Sequence, residues 1–288
     1  MHFKEARGIL SPQNGMNIFR GCTHGCIYCD SRSDCYQITH DFEDVQIKSN
    51  APQLLEAALR KKRKKCMIST GAMCDPYIHL EEQLCHTRKC IEIIDKYGFG
   101  VAIQTKSSRI LRDMDLFKSI HRKAKCVVQL TLTTHNEVLC KIIEPAVSTT
   151  KERFAVLEAM RDEGIPTIVW LGPLLPFIND NEENMMGILD YCIRAKVYGI
   201  IVWGMGMTLR SGSREYFYRQ LDRHFPGMAK KYRQKYGDSY VITSDNSSSL
   251  MRLFCETCEA HGIIHDRDEL LHYCNSFPDL QMEQLSLW

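Results

Sequence analysis

An α/β fold is the reading that three features of this sequence share. Six short apolar runs, each suited to a strand, alternate with segments whose apolar residues recur at helical spacing. A cysteine-rich loop follows directly on the first run, and (β/α) barrels keep their chemistry at the carboxyl ends of their strands. The 288 residues suffice for one large domain with a substantial core.

Taken in order, residues 1–14 read as a lead-in with little structure. Met16 to Arg20 is the first strand. Leu54, Leu55, Ala58 and Leu59 form a helical stripe after Pro52, which runs into the basic stretch 60–65. Cations at a helix C-terminus are favourable in themselves, so this run does not require a phosphate partner. Cys66 to Thr70 is the second strand, and Leu80, Leu84, Ile91 and Ile94 mark one helix. Phe99 to Thr105 is the third strand, followed by a short helix from Ile110 to Ile120. Val127 to Thr133 alternates as a fourth strand. Phe154, Leu157 and Met160 mark a helix closed by Gly164; Ile165 to Leu171 is the fifth strand. Met185, Ile188, Leu189 and Cys192 make the next helix, and Gly199 to Trp203 is the sixth strand. Residues 213–273 read as helical and carry many Arg and Tyr.

This alternation implies a parallel sheet with right-handed crossovers. Periodicity alone does not separate a barrel from a doubly wound sheet. No repeat or low-complexity segment is visible. Residues 1–207 are expected to form the strand–helix body, 208–280 a helical C-terminal extension of it, and 281–288 a flexible tail.

Composition excludes several classes. Apolar content of 44% and charged content of 25% are ordinary for a soluble globular protein. A formal net charge of +2 gives no global pull toward nucleic acid or membrane. The start has no apolar signal core, and the longest apolar stretch is short and broken by prolines, so no membrane association is expected. Fourteen cysteines without a secretory signal argue for a reducing compartment, read here as cytoplasmic.

The cysteine loop is Gly21-Cys22-Thr23-His24-Gly25-Cys26-Ile27-Tyr28-Cys29-Asp30. Its C-x3-C-x2-C spacing puts three soft thiolates on one tight loop, which suits an iron–sulfur cluster or zinc. Three cysteines can hold three corners of a [4Fe–4S] cube and leave the fourth iron open. A zinc site would need a fourth ligand, such as Cys35 or His24.

Cys22-x3-Cys26-x-Tyr28-Cys29 resembles the signature of the radical S-adenosylmethionine (radical SAM) superfamily. The run Gly15 to Cys22, together with Asp75-Pro76-Tyr77, resembles that superfamily's spore-photoproduct-lyase-like branch. The resemblance implies a partial (β/α)6 TIM barrel of the radical SAM type, open on one side, with a helical C-terminal layer. It implies a [4Fe–4S] cluster on Cys22, Cys26 and Cys29, whose open iron chelates the amino and carboxylate groups of S-adenosylmethionine. An external electron donor reduces the cluster, and cleavage of the sulfonium yields a 5'-deoxyadenosyl radical.

Further cofactor positions follow from the same resemblance. Gly71-Ala72-Met73 ends the second strand where related enzymes receive the cofactor's amino group; taken alone it reads equally as a turn. Tyr28 resembles the aromatic beside the adenine. Lys106 stands where the branch implies a lysine on the methionyl carboxylate, against a plain solvated lysine. Thr131, with Thr133 and Thr134, suits a ribose, though threonine is common in strands. Gly204 and Gly206 let an adenine approach, on the weak evidence of a lone Gly-x-Gly. Two positions depart from the lyase: Asp30 replaces a tyrosine past the third cysteine, and Ala72 falls where the lyase has its hydrogen-donating cysteine. Cys74 is the nearby thiol that could substitute as the catalytic donor.

Cys255, Cys258 and Cys274 could form a second metal site or be buried core thiols. Gln284-Leu285-Ser286-Leu287-Trp288 resembles the short peptide by which bacterial replication and repair proteins bind the sliding clamp, and otherwise reads as an apolar tail. The expected function is a radical SAM enzyme, lyase-like, acting in DNA repair or on another nucleic acid. Arg210, Arg214, Arg219 and Arg223 with Tyr216 and Tyr218 are the candidate contacts. The alternatives are a peptide or small-molecule substrate, or a non-catalytic zinc-stabilised DNA-binding module.

Overall fold

A computed structural model describes residues 1–278. The sliding-clamp segment 284–288 lies outside the described residues. The chain opens on β1 (His2–Lys4), β2 (Gly15–Met16), β3 (Phe19–Arg20) and β4 (Gln46–Lys48). There follow α1 (Ala51–Lys61), β5 (Met67–Thr70), α2 (Glu81–Leu84), α3 (His86–Lys96), β6 (Gly100–Thr105), α4 (Met114–Lys123) and β7 (Cys126–Leu132). Then come α5 (Glu137–Ile143), α6 (Thr150–Asp162), β8 (Thr167–Leu171), α7 (Glu182–Ala195), β9 (Gly199–Ile201) and β10 (Gly206–Thr208). The remaining elements are α8 (Ser213–His224), α9 (Met228–Tyr236), β11 (Val241–Thr243), α10 (Ser247–Ala260) and α11 (Arg267–Asn275).

Six parallel strands make one sheet in the order β2-β5-β6-β7-β8-β9, a partial barrel whose end strands are β2 and β9. Its outer face is the main core. Ile68, Val101, Ile103, Val128, Leu130 and Val169 meet Leu55, Ile91, Phe117, Leu157 and Leu189 from the helices. Full burial of each such side chain contributes roughly 1.5–3 kcal/mol. Period-two alternation puts Met67, Ala102, Val127, Ile168 and Ile201 on the inner face, where Leu270 and Cys274 of α11 cover them. Further along the same inward rows, toward the carboxyl ends, stand Ser69, Gln104, Gln129, Thr131 and Trp170. The barrel is therefore stoppered at one end and polar toward the other.

A second core lies at the carboxyl end. Phe217, Tyr218 and Leu221 of α8, Ala229 and Tyr232 of α9, and Ile242 of β11 pack against Cys26, Ile27 and Tyr28. The C-terminal layer thus walls the cysteine loop itself. The basic run 60–65 closes α1 and leads into the amino end of β5, away from that loop; Lys62 donates to Asn14 Oδ1 at 2.7 Å, and Lys65 lies over the Phe99 ring.

Several boundaries differ from the sequence reading. Residues 1–14 are not bare lead-in: β1 pairs in parallel with β4, anchored where the amino terminus and His2 meet Asp44. The expected strand Met16 to Arg20 is two strands in two sheets, β2 beside β5 and β3 antiparallel to β4. Met16, Ile18 and Phe19 are buried on either side of Asn17, so the burial continues through the change of sheet and leaves no break in the run. The expected helix over 80–94 breaks at Cys85, which takes a positive φ of 51°. Glu81 then caps the new helix, accepting from the amides of His86 and Thr87 at 3.0 Å, so the first free N–H groups of α3 are satisfied. The helix over 110–120 begins as a 3-10 segment, Ser108–Asp113. Helix α5 was not expected; its N-cap is Asn136, whose Oδ1 accepts from Leu139 N at 2.9 Å. Residues 213–273 are not wholly helical, because β11 pairs antiparallel with β10. No helix among the described residues is long and apolar enough to cross a membrane.

Candidate metal centre and cofactor pocket

The loop that carries Cys22, Cys26 and Cys29 is shaped by its glycines and by its neighbours. Gly21 has φ +89°, and a Cβ there would stand 2.4 Å from the Phe42 carbonyl oxygen. Cys22 N donates to that same oxygen at 3.0 Å. Ile27 N donates to Ile143 O at 2.9 Å, and Ala146 N to His24 O at 3.1 Å, so the loop is laced to the end of α5 and the segment after it. Cys22 and Cys26 are buried and Cys29 is half-buried.

The three thiols feel different surroundings. The neighbouring Cys74 thiol, with help from His24, holds Cys22 well below an ordinary thiol despite burial. Burial pushes Cys26 well up and Cys29 up, with the Lys106 cation opposing both. Among the described residues no three His, Cys, Asp or Glu side chains converge on a single point as ligands of one ion would. A cubane makes a different demand, since each cysteine takes a separate iron. Thr23 Oγ1 and His24 Nε2 are buried in the loop without partners, polar atoms that the folded chain itself leaves unsatisfied. Three thiols on one ten-residue loop, two orphaned polar atoms and a cation nearby are a donor set that fits an anionic cluster.

Asp75 ties this loop to the sheet. One carboxylate oxygen accepts from Tyr77 N at 2.8 Å and Thr105 Oγ1 at 2.7 Å. The other accepts from Lys106 N at 2.6 Å and lies 3.5 Å from His24 Nδ1. Burial lowers the His24 pKa, but Asp75 and Cys22 outweigh it and the net direction is upward. Lys106 follows β6. Its burial is outweighed by Cys26, Glu144 and Asp75, so it stays charged, and its ammonium makes no hydrogen bond or ion pair among the described residues.

Beyond Lys106 lies a fully buried ion pair, Glu144 with Arg153. Arg153 also donates to Thr131 O at 2.6 Å. The Tyr28 hydroxyl bonds to Glu144 and lies 3.0 Å from Thr133 Oγ1. Glu144 is pushed up by burial and pulled further down by Arg153 and Lys106, for a net lowering.

The other expected positions divide. Gly71 takes φ +104°, and a Cβ there would sit 1.9 Å from Gln104 O, so only glycine passes between β5 and β6. Ala72 is exposed, and the Met73 carbonyl accepts from Ser31 Oγ at 2.9 Å. Cys74 donates to Gly21 O at 2.7 Å. Thr131 is buried, its hydroxyl 3.5 Å from the Gln104 amide nitrogen. Gly204 has φ +147° with open space where a Cβ would be. Tyr28 lies in the second core, its hydroxyl occupied.

Arg210 and Arg214 are engaged within the protein: Arg210 reaches Cys35 and Tyr240, and Arg214 donates to the carbonyls of Leu209, Gly237, Asp238 and Ser239. Arg219 and Arg223 are exposed, Tyr216 is half-buried and Tyr218 is buried. Cys258 sits in the main core and Cys274 inside the barrel, so the structure does not gather Cys255, Cys258 and Cys274. Sequence reasoning passed over Glu144 and Arg153 as site residues. An Arg in the middle of an amphipathic helix reads as solvated, and only tertiary packing reveals its buried partner.

Comparison with known proteins agrees with this geometry. The family model of the radical SAM superfamily matches residues 16–189. An uncharacterized protein of Mycobacterium bovis is 27% identical over 232 residues, covering 77% of this chain and 66% of the relative. An uncharacterized protein of Methanocaldococcus jannaschii is 31% identical over 169 residues, covering 58% of this chain and 62% of the relative. The chain thus spans slightly less than two thirds of the length of these relatives. Among solved structures, spore photoproduct lyase complexed with dinucleoside spore photoproduct superposes with a TM-score of 0.64 at 13% identity, covering 90% of this chain and 78% of the lyase. That likeness is one of fold.

Proposed function

The chain belongs to the radical SAM superfamily, whose enzymes use a [4Fe–4S] cluster and S-adenosylmethionine, and on that premise we propose a lyase-like radical enzyme that acts on nucleic acid in DNA repair. Cys22, Cys26 and Cys29 would hold the cluster. When bound, cluster and cofactor supply a 5'-deoxyadenosyl radical that takes hydrogen from a substrate.

The chain's own residues bind and orient. Lys106, charged and otherwise unpaired, faces the cofactor's carboxylate; Asp75 fixes the backbone from which it projects. The turn Gly71-Ala72-Met73 receives the amino group, Thr131 the ribose, and the open space at Gly204 the adenine. Tyr28 acts through Glu144, as a strut rather than a ring against the adenine. The Cys74 thiol points at Gly21 and neighbours Cys22, which supports a role in tuning that ligand more than one in returning hydrogen. An external electron donor supplies the electron, and a reducing cytoplasm suits three such thiols.

The observation that carries this reading is the short loop that brings three thiols to the carboxyl end of the barrel, where the second core walls Cys26. Anaerobic protein reconstituted with iron and sulfide should absorb near ~400 nm and release 5'-deoxyadenosine with dithionite and S-adenosylmethionine. Cys26→Ala should abolish both. Stoichiometric zinc without iron binding would overturn it.

A further inference from the structure

The inward face of the barrel carries, beside the cofactor positions Thr131 and Gly204, an aromatic and amide wall to which no role has yet been given. Trp170 on β8 and Trp203, just after β9, stack with ring centroids 6.2 Å apart and planes inclined by 26°. Trp203 is 65% exposed, an unusual cost for the largest aromatic side chain on a protein with few exposed ones. The Arg267 guanidinium lies 5.0 Å from its ring. Beneath the pair, Trp170 Nε1 donates to Gln129 Oε1 at 2.8 Å.

That bond fixes the orientation of the Gln129 amide. An indole N–H only donates, so it must meet the carboxamide oxygen, and the NH2 group is turned the other way. Among the described residues this nitrogen makes no hydrogen bond, although Gln129 is largely buried. Gln104, its register neighbour on β6, adds a second carboxamide to the same inward row. The wall therefore offers a flat indole face and, fixed near it, the Gln129 amide donor; the Gln104 amide nitrogen is already turned to Thr131 Oγ1 at 3.5 Å.

We infer that this wall takes one unpaired nucleobase of the substrate, stacked on Trp203 with an acceptor in the plane of its ring, such as a thymine carbonyl oxygen, turned to the Gln129 amide. The inference rests on the nucleic-acid reading above and deepens it. A nucleobase has both a flat face and acceptors in the ring plane; a phenyl side chain of a peptide has only the face. The base must be unpaired, because in a duplex both its faces are occupied by neighbours.

The test uses the anaerobically reconstituted enzyme and a fluorescein-labelled single strand of twelve thymidylates. Trp203→Ala should weaken binding about tenfold, the low end for loss of one stacked base. Trp203→Phe should retain most of the affinity, and Gln129→Met should lose part of it. An abasic strand of equal length should bind wild type and Trp203→Ala alike. Unchanged thymidylate binding by Trp203→Ala would overturn the shelf and leave the nucleic-acid reading standing. So would a loss confined to S-adenosylmethionine affinity, which would give the shelf to the cofactor's adenine. Failure of the wild-type enzyme to bind any strand, with capture of an aromatic peptide instead, would remove both.

Discussion

The carboxylate of Asp75 accepts a hydrogen bond from the backbone amide of Lys106 at 2.6 Å, and so joins the loop after β5 to the loop after β6. Its second oxygen holds Thr105 and Tyr77. Asp75→Ala should leave buried donors unpaired at about 1–3 kcal/mol each, and lower Tm by several degrees. Cofactor affinity should fall with it, as read by equilibrium dialysis with S-adenosylmethionine. A variant with wild-type stability and affinity would show that the two loops are held without this carboxylate.

Lys106 itself supports a sharper separation. Lys106→Met keeps the length of the side chain and removes the charge. The cluster should assemble with an unchanged absorbance spectrum, while S-adenosylmethionine binding weakens roughly tenfold or more, as for a lost charge-assisted contact of ~1.5–3 kcal/mol. Equal binding by both proteins would place the cofactor's carboxylate elsewhere.

Breaking the buried pair is expected to be expensive. Arg153→Met removes a cation and leaves Glu144 charged and buried, a change that costs about 3–5 kcal/mol when one partner of such a pair is lost. Urea melts measure it directly. The double variant Arg153→Met with Glu144→Gln should recover part of the loss; no recovery would mean that the pair is not coupled.

The same pair sets an acid limit. Glu144 has a folded pKa depressed below its unfolded value of about 4.3, despite burial, because Arg153 and Lys106 outweigh desolvation. Its stabilising contribution is therefore complete above that unfolded value and is lost as pH falls through the folded one. Tm plotted against pH should drop below about pH 4.3 in the wild type and drop less in Glu144→Gln. Parallel curves would count against Glu144 as the titrating group.

Gly71→Ala tests the close approach of β5 and β6. The added methyl would overlap Gln104 O and the residue would keep a φ of +104°, so folding should suffer by at least the ~1–2 kcal/mol of a non-glycine in this region. A fully stable variant would show that the strand ends can part.

The strand–helix alternation was legible because β6, β7, β8 and β9 are buried on both faces over most of their length and read as short apolar runs. Helix α5 was not, since Glu137 to Ile143 is too short to show a period and is held by its Asn136 cap and its neighbours. The cysteine trio was legible from spacing alone. The groups around it were harder to read, because a site is assembled from strand ends far apart in sequence. Asp75 was visible only as part of a resemblance. Glu144, Arg153, Gln129 and Trp203 gained meaning when β7, β8, β9 and α6 were set side by side.

The packing of Cys26 and Tyr28 against Phe217 and Tyr232 also has a bearing on how the protein is made. A ribosome releases the cysteines early and their second wall only after most of the chain has emerged. Until then Cys26 lacks the apolar wall that the C-terminal layer supplies, although Cys22 already belongs to the main core. Metal loading would then be a late event in the life of the polypeptide, and a nascent chain stalled before α8 would carry bare thiols open to any oxidant.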